Sequence, residues 1–269
     1  MIKCGITGSR GNLGKSFLKT KKFHFLRFNG DISKKKDVEK WIRFNEFDLI
    51  IHFAALVPTY KVNNNYKKAI NINFYGTKYL VDSILKHKKK IRWFFYASTS
   101  HVYPLQKKRI TEKNKTKPLS KYGKTKLLGE NYVNSKFSRG GICFCIGRIF
   151  SIFDNKDKSF FTPNLLRKIR NGPDNLILEN LNHYRDFLST EQISKIIVFL
   201  WKKKISGIVN IASGKKTNLQ EIAKIFVKKS GKKVFFKNKY KSSSHVANIS
   251  KLKKLGYEVK KLNFGRYFN

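Results

Sequence analysis

Ile2–Gly14 reads IKCGITGSRGNLG, an apolar run of strand length followed by Gly8, Gly11 and Gly14 at intervals of three. Short apolar runs bounded by turn residues suit buried strands, and the sequence after Gly11 opens an amphipathic segment. Glycines at this point let the chain turn tightly and let its backbone approach a pyrophosphate. The phosphates then rest on the N-terminus of the following helix. An ordinary turn with a helix cap would account for the glycines equally well if they stood elsewhere. Their place directly after the first strand favours dinucleotide binding, with Gly8, Arg10, Gly11, Asn12, Leu13 and Gly14 around the phosphates.

Outward from this loop, short apolar runs alternate with amphipathic stretches. The strand candidates are IKCGIT, FHFLRF, DLIIHFAA, IRWFFYAS and ICFCIGRI. Helical spacing marks NLGKSFLKT, KKDVEKWIRF, AININFYGTKYLVDSILKH and SKYGKTKLLGENYVNSKF. In the third of these, Ile70, Phe74, Thr77, Leu80, Val81 and Ile84 share one face. Such alternation predicts an α/β fold, a Rossmann-like doubly wound parallel sheet with helices on both faces. Past residue 150 the pattern loosens into helices near TPNLLRKIRN, TEQISKIIVFLWKK and NLQEIAKIFVKK, with strands NLILE and GIVNIA. The expected organisation is a dinucleotide-binding region over 1–150 and a smaller C-terminal substrate-binding lobe over 151–269, interleaved with the first.

The chain of 269 residues carries 59 Lys and Arg against 16 Asp and Glu, a formal charge of +43. That excess raises nucleic acid as a partner. However, the lysines are dispersed, several clusters fall where helices end, and the accompanying Asn, Ile, Phe and Tyr share A/T-rich codons. A solvated surface is therefore favoured over a nucleic-acid groove, in a field that still attracts phosphorylated ligands. No run approaches the roughly 20 apolar residues of a membrane span, and Met1 leads straight into a strand without a signal-peptide pattern. A cytoplasmic protein with no membrane partner is expected. Cys4, Cys143 and Cys145 sit in apolar runs, read as buried free thiols and too few to hold a metal.

Two features bear on the chemistry of the cofactor and its reaction. The second strand ends LRFNGD, with Arg27 where an acid would hold the ribose of NAD, and Arg10 lies in the glycine loop. Guanidinium forks suit the 2′-phosphate, so NADP(H) is favoured and NAD(H) is the alternative. In YGKTK, Tyr122 and Lys126 stand four apart, on one face of a helix. A tyrosine near pKa ~10 is a poor proton donor and acceptor at neutral pH, and an ammonium one turn away is expected to lower that value.

Together these segments resemble the extended short-chain dehydrogenase/reductase family, the NAD(P)-dependent epimerases, dehydratases and reductases of nucleotide sugars. TGSRGNLG is similar to the family's glycine loop and GDIS to its adenine-contacting segment, which implies contacts from Asp31 and Ile32. IIHFAA resembles the strand end beside the cofactor, with Ala54 and Ala55, and NINFYGT the helix with a structural asparagine, Asn73. YGKTK looks like the catalytic pair, and YRDFLSTEQIS resembles the segment that places Arg185 near the sugar nucleotide. NIASGKKTNLQEIA and HVANISKLKKLGY look like the closing elements.

The resemblance also implies a reaction class. Aligned on Val102 and Tyr103 of STSHVYP, Thr99 takes the position of the catalytic hydroxyl. The Asp-Glu pair of the 4,6-dehydratases is replaced by Ser100 and His101, so water elimination is disfavoured. His101 stands as a candidate second acid–base. The second strand runs directly into GD without an intervening helix, as in 4-keto-sugar reductases and epimerase-reductases. Ser151 replaces the Asn that the family carries after its fifth strand. The implied function is oxidoreduction at C4 of a nucleotide-activated hexose, with Thr99, Tyr122 and Lys126 catalytic, Ser100, His101 and Arg185 near substrate, and a homodimer in prospect. Rival readings are a 4-epimerase holding NAD tightly and a non-catalytic relative that binds RNA or another polyanion.

Overall fold

The computed structural model describes residues 1–57, 59–154, 160–260, 262 and 264; residues 265–269, within the expected second region, lie outside the described residues. The chain divides into two compact units. One comprises 1–104, 115–149 and 193–209; the other comprises 105–114, 150–192 and 210–269.

The first unit is built from β1 (Lys3–Thr7), α1 (Asn12–Leu18), β2 (His24–Arg27), α2 (Lys35–Arg43), β3 (Leu49–His52), α3 (Thr59–Asn64) and α4 (Tyr66–Ile70). A π-helical turn, Asn71–Tyr75, then leads into α5 (Gly76–Lys86), followed by β4 (Trp93–Thr99), a 3₁₀ turn (Ser100–Val102), α6 (Lys121–Arg139) and β5 (Phe144–Ile149). The six-stranded sheet is completed by β10, in the order β2-β1-β3-β4-β5-β10; β10 is Gly207–Ile211. Pairing from β2 through β5 is parallel. β2 steps off one side of β1 and β3 off the other, so the strand order reverses there and opens a crevice at the strands' carboxyl ends.

Alternation along β4 shows why this sheet needs helices on both sides. Phe94 and Tyr96 enter one cluster with Val38, Ile42, Leu80, Val81, Ile84, Val133 and Phe137 from α2, α5 and α6. Trp93 and Phe95 point the other way into a chain of ring contacts: Phe17–Phe53 at 5.7 Å, Phe53–Phe95 at 6.2 Å, Trp93–Phe95 at 5.7 Å and Trp93–Trp201 at 6.0 Å. Trp201 belongs to α8 (Thr190–Lys202). A strand buried on both faces reads as a continuous apolar run, as IRWFF does.

The second unit has its own core. It holds β6 (Ser151–Phe153), α7 (Phe161–Asn171), β7 (Asn175–Glu179), β8 (Tyr184–Arg185), β9 (Phe187–Ser189), β11 (Thr217–Asn218), α9 (Leu219–Ser230), β12 (Lys233–Lys237), β13 (Ser244–His245) and α10 (Ser250–Lys254). Phe153, Leu165, Ile169, Leu176, Leu178, Phe187, Ile222 and Phe226 pack together. NLILE forms the expected strand, β7, but its parallel partner β12 and the short strands β6, β8, β9, β11 and β13 are not among the strands read from the sequence. Two other expectations change. The predicted helix through AININFYGT is interrupted by the π turn, and Cys143 is half-buried, its thiol against the Lys204 carbonyl at 3.7 Å, while Cys4 and Cys145 are buried. No helix among the described residues is long and apolar enough to cross a membrane.

His52 ties the ends of β1 and β3 to α5. Its Nδ1 lies 2.6 Å from the Thr7 hydroxyl and its Nε2 2.9 Å from that of Thr77. Complete burial lowers its pKa to about 3, with Lys126 adding in the same direction. An unfolded chain binds this proton near pH ~6.5, whereas the native ring stays neutral to about 3. Its stabilisation is therefore complete above pH ~6.5 and is lost as pH falls towards 3, by about 1.4 kcal/mol per pH unit. His52→Gln should be the less stable protein at pH 7.5 in denaturant titrations. The gap to the parent chain should narrow between pH 6.5 and 4.

Candidate active site

The glycine loop leaves β1 at the point where the strand order reverses. Gly8 has a left-handed backbone, φ +69°, and a Cβ there would stand 2.6 Å from the Ala54 backbone nitrogen. A Cβ at Gly14 would meet the Gly8 carbonyl at 2.3 Å. Both glycines are therefore required by the protein's own packing. Gly11 is different: its backbone is ordinary, φ −74°, and a Cβ would meet only the Gly8 carbonyl at 3.4 Å, an ordinary contact. The protein does not require glycine at that position. A bare backbone over the first turn of α1, where Asn12 and Leu13 begin, is what a pyrophosphate cradle needs, so the loop fits a dinucleotide.

The remaining expected cofactor residues lie around this loop in the first unit. The register pairs Ile6 with Arg27, which sets Arg27 beside the end of β1; Arg27 and Arg10 are both exposed. Asp31 accepts hydrogen bonds from the Ser33 amide and hydroxyl at 2.9 and 2.7 Å, and these hold its carboxyl below the usual range. Asp31 also lines a cavity of about 320 Å³ with Ser33, Asn65, Lys68, Asn71 and Ile72. Ile32 is buried against Gly76, where a Cβ would come within 2.9 Å of it. Ala54 and Ala55 follow β3.

Asn73 sits inside the π turn and is completely buried. Its Oδ1 accepts from the Leu56 amide at 2.6 Å. Its Nδ2 donates to the Leu56 carbonyl at 3.3 Å and to the Thr125 hydroxyl at 2.9 Å. Thr125 donates onward to the Tyr122 carbonyl at 2.8 Å. Both amide donors of Asn73 are spent within the protein, so it positions the segment after β3 against the first turns of α6. The extra residue of a π turn supplies the displacement that brings such a side chain into reach.

Thr99, the last residue of β4, is buried, and its side chain acts on the Tyr122 phenol in the direction that favours the phenolate. Its hydroxyl accepts from the His101 amide at 3.2 Å and so starts the 3₁₀ turn. Ser120 caps α6 by accepting from the Gly123 amide at 3.0 Å. The His101 carbonyl would lie 2.3 Å from a Cβ at Gly123, so only glycine lets this loop rest on the helix. His101 is exposed, and its ring stands edge-on to that of Tyr122, centroids 5.8 Å apart. Ser100 is buried beneath it.

Lys126 is buried, its ammonium 4.2 Å from the centroid of the Tyr96 ring. Burial lowers its pKa to about 7, opposed by the negative charge of Glu130. Tyr122 moves the other way, pushed up to about 12 by burial against the opposing influence of Thr99. The spacing predicts that Lys126 lowers the phenol; instead Lys126 is not among the groups that shift Tyr122, and desolvation of both makes the lysine the easier group to deprotonate.

Sequence reasoning passed over Glu130 and Arg148. Tyr122, Lys126 and Glu130 fall at successive intervals of four on α6. Arg148 grips Glu130 with Nε at 3.1 Å to both carboxylate oxygens and an amino group at 2.7 Å. Its other amino group donates to the Tyr103 hydroxyl at 2.8 Å, and Ser98 also binds Glu130. A charged residue inside the apolar run ICFCIGRI was the available signal, since a buried charge demands a partner.

Arg185 lies in the second unit, on β8. It forms no ion pair with the adjacent Asp186. Asp186 accepts instead from the Ser213 amide and hydroxyl, the Gly214 amide and the Ala247 amide, at 2.6–3.2 Å. Arg185 donates to the Tyr184 carbonyl at 2.8 Å and the Ser243 hydroxyl at 3.3 Å, and burial lowers its pKa.

Known proteins agree with this architecture. A protein of Methanocaldococcus jannaschii with the provisional name UDP-glucose 4-epimerase is 27% identical over 231 residues, 80% of this chain and 69% of its own length. The GDP-6-deoxy-D-talose 4-dehydrogenase of Aggregatibacter actinomycetemcomitans is 27% identical over 224 residues, 79% of this chain and 75% of its own. The structure of RMD from Pseudomonas aeruginosa complexed with NADPH superposes with a TM-score of 0.87 at 17% identity, covering 99% of this chain and 96% of that one, a likeness of fold. The profile of the NAD dependent epimerase/dehydratase family matches residues 6–212. A match that runs from the first strand of the sheet to its last, well over half of the sequence, establishes that this chain belongs to the NAD dependent epimerase/dehydratase family.

Proposed function

We propose that this chain is an NAD(P)-dependent oxidoreductase acting at C4 of a nucleotide-activated hexose, as a 4-keto-sugar reductase or epimerase-reductase. The observation that carries this reading is the pairing of Thr99, at the carboxyl end of β4, with Tyr122, whose phenolate it favours, and with Lys126 one turn further along α6. The name of the Aggregatibacter relative puts its chemistry at C4, in support. NADPH is favoured as cofactor by the exposed Arg10 and Arg27 beside the glycine loop and by the NADPH complex of the Pseudomonas neighbour. The cavity beside Asp31 suits the adenine.

The nicotinamide, when bound, supplies or accepts the hydride; the residues of this chain manage the proton. With its pKa near 12, Tyr122 keeps its proton throughout the neutral range, the form that protonates the C4 oxygen during reduction; burial makes it a weaker acid than a free phenol, so the phenolate left behind has to be stabilised by its neighbours. Thr99 orients that oxygen through a second hydrogen bond. Lys126, whose pKa burial lowers to about 7, orients the ribose and the phenol. Arg185, for which no carboxylate partner appears among the described residues, suits a phosphate of the nucleotide. A second reading, a 4-epimerase with tightly held NAD, is favoured by the provisional name of the Methanocaldococcus relative. The exposed His101 edge-on to Tyr122 leaves the epimerase-reductase open, as a second acid–base for a carbon next to a carbonyl.

A substrate screen and three variants test the proposal. Nucleotide sugars and their 4-keto derivatives are offered with NADPH and with NADH, and products are identified. Stoichiometric NADPH oxidation is expected, whereas protein that carries bound NAD and turns over without added cofactor would be the epimerase. Tyr122→Phe should lower turnover by roughly 10²–10⁴-fold with little change in NADPH affinity. Gly11→Ala should leave folding stability within about 1 kcal/mol of the parent and weaken NADPH binding at least ~10-fold. Gly14→Ala should compromise folding itself. Undiminished NADPH affinity in Gly11→Ala would remove the loop from the cofactor site.

A further inference from the structure

The lysines are dispersed along the sequence, but the parallel sheet gathers many of them. Every strand of a parallel sheet begins at one edge, and every returning helix ends there. Five segments of the first unit, 19–24, 40–48, 86–93, 136–143 and 202–206, occupy this edge and are stitched together. The Asp48 amide donates to the Lys3 carbonyl at 2.8 Å and the Arg92 amide to the Asp48 carbonyl at 2.7 Å. The Phe94 amide donates to the Cys143 carbonyl at 2.9 Å, the Trp93 indole to the Ile205 carbonyl at 2.8 Å, and the Lys89 ammonium to the Arg43 carbonyl at 3.2 Å.

These 36 residues carry fifteen Lys and Arg and two acids, whereas the whole chain has 59 cations in 269 residues. The two acids, and Glu39 next to them, are already engaged: Glu46 with Lys89, Asp48 with Arg92 and Glu39 with Lys86. At the opposite, carboxyl edge, the loops and first helical turns of the same unit, 8–15, 28–38, 53–57, 59–62, 100–104 and 115–124, hold ten cations and two acids in 43 residues, close to the density of the whole chain. A general lysine bias would load both edges alike.

A second, independent observation concerns backbone strain. Among the described residues four non-glycines have positive φ, and three are lysines: Lys21 at 50°, Lys88 at 46° and Lys204 at 47°. Each closes a helix, α1, α5 or α8, by donating to the carbonyl three residues back. Glycine is the usual residue for this left-handed position. The chain uses it where α6, α9 and α10 end, at Gly141, Gly231 and Gly256. Three helix stops thus keep a strained lysine in place of glycine, and all three lie on the amino edge.

We propose that this edge is a docking track for single-stranded RNA, held through its phosphodiester backbone and remote from the candidate active site. The cations follow the line of strand beginnings, Lys21 and Lys22 by β2, Arg43 by β3, Lys88–Lys90 by β4, Arg139 by β5 and Lys202–Lys204 by β10. Neighbouring strands lie about 4.8 Å apart. A linear array suits a linear polymer of charges, and lysines bind phosphates without base preference. Phe44, 69% exposed, carries the Arg43 guanidinium 5.4 Å from its ring centre, a platform on which a base can stack.

The test is fluorescence anisotropy of a labelled 20-nucleotide mixed-sequence RNA with the full chain, from 50 to 300 mM salt, alongside DNA of the same sequence. Binding of both at low salt is expected. The triple variant Lys21→Gly, Lys88→Gly, Lys204→Gly should bind roughly tenfold or more weakly, with the slope of log Kd against log salt reduced by about 2. Its melting temperature should not fall, because glycine relieves the left-handed strain, and NADPH binding should be unchanged. Arginine at the same three positions should restore RNA affinity. A control with the same change of charge in the second unit, Lys224→Gln, Lys228→Gln, Lys233→Gln, should leave the slope as it was. The proposal is overturned if RNA does not bind at 50 mM salt, or if the control loses as much affinity as the edge variant. Capture by anionic phosphatidylglycerol vesicles that RNA cannot compete away would overturn it equally, by making the edge a membrane surface.

Discussion

The ammonium of Lys126 is buried in the first unit, and much of the local structure answers to that one constraint. An isolated cation out of water is costly, so its surroundings must return part of the lost hydration. The Tyr96 ring lies 4.2 Å from it, and the negative charge of Glu130 supports its protonated form. Glu130 is itself buried and needs a cation, which Arg148 supplies with three contacts. Arg148 in turn is capped by the Tyr103 hydroxyl, and its guanidinium lies 4.7 Å from that ring. Gly129 has no side chain because the Tyr96 hydroxyl stands 2.2 Å from where its Cβ would be. The helix that presents Tyr122 is thereby fixed at three levels, by Gly123 under the loop, by Thr125 on Asn73, and by Glu130 on Arg148.

Such a network is weak evidence for stability, because desolvation of buried ions offsets much of their attraction. Its value lies in what it does to the protons. Only part of Glu130's charge reaches Lys126, since Arg148 takes most of its hydrogen-bonding capacity, so burial wins and the ammonium falls to about 7. The same dense surroundings raise the phenol of Tyr122 to about 12. The phenol is thus protonated at neutral pH but a weaker acid than a free tyrosine, and donation from it depends on what stabilises the phenolate.

The parallel sheet of the first five strands and the glycine loop were legible because each rests on a local rule: a buried strand is a short apolar run, and a left-handed turn against Ala54 needs glycine. The strand order, and the addition of GIVNIA to this sheet as β10, rest on pairing between distant segments and were not. Tyr122, Lys126 and Thr99 were legible by spacing and by family likeness. What escaped depends on contacts between distant residues. The π turn at Asn71–Tyr75 inserts one residue into a helix whose apolar period continues across it, so nothing in Ile70, Phe74 and Thr77 marks the break. Glu130 and Arg148 are 18 residues apart and meaningful only as a pair. The pairing of β7 with β12 joins NLILE to KVFFK, 58 residues on, and the outward face of the latter leaves Phe235 exposed, which blurs its alternation.

The lysines illustrate the same limit in the opposite direction. Along the sequence they look scattered, and scatter favours a solvated surface. A parallel sheet has a direction, however. Helix N-termini collect at its carboxyl edge and helix C-termini at its amino edge, so the two edges carry opposite ends of the helix dipoles. Phosphates of a dinucleotide fit the first edge through backbone amides, which requires glycines and few side chains. Cations fit the second, and dipole complementarity alone would place them in the last helical turns. Lys21, Lys88 and Lys204 lie beyond those turns in a backbone conformation that disfavours them. The dipole explains a basic edge; it does not explain lysine where the geometry prefers glycine, and that residue of the pattern points to a ligand outside the fold.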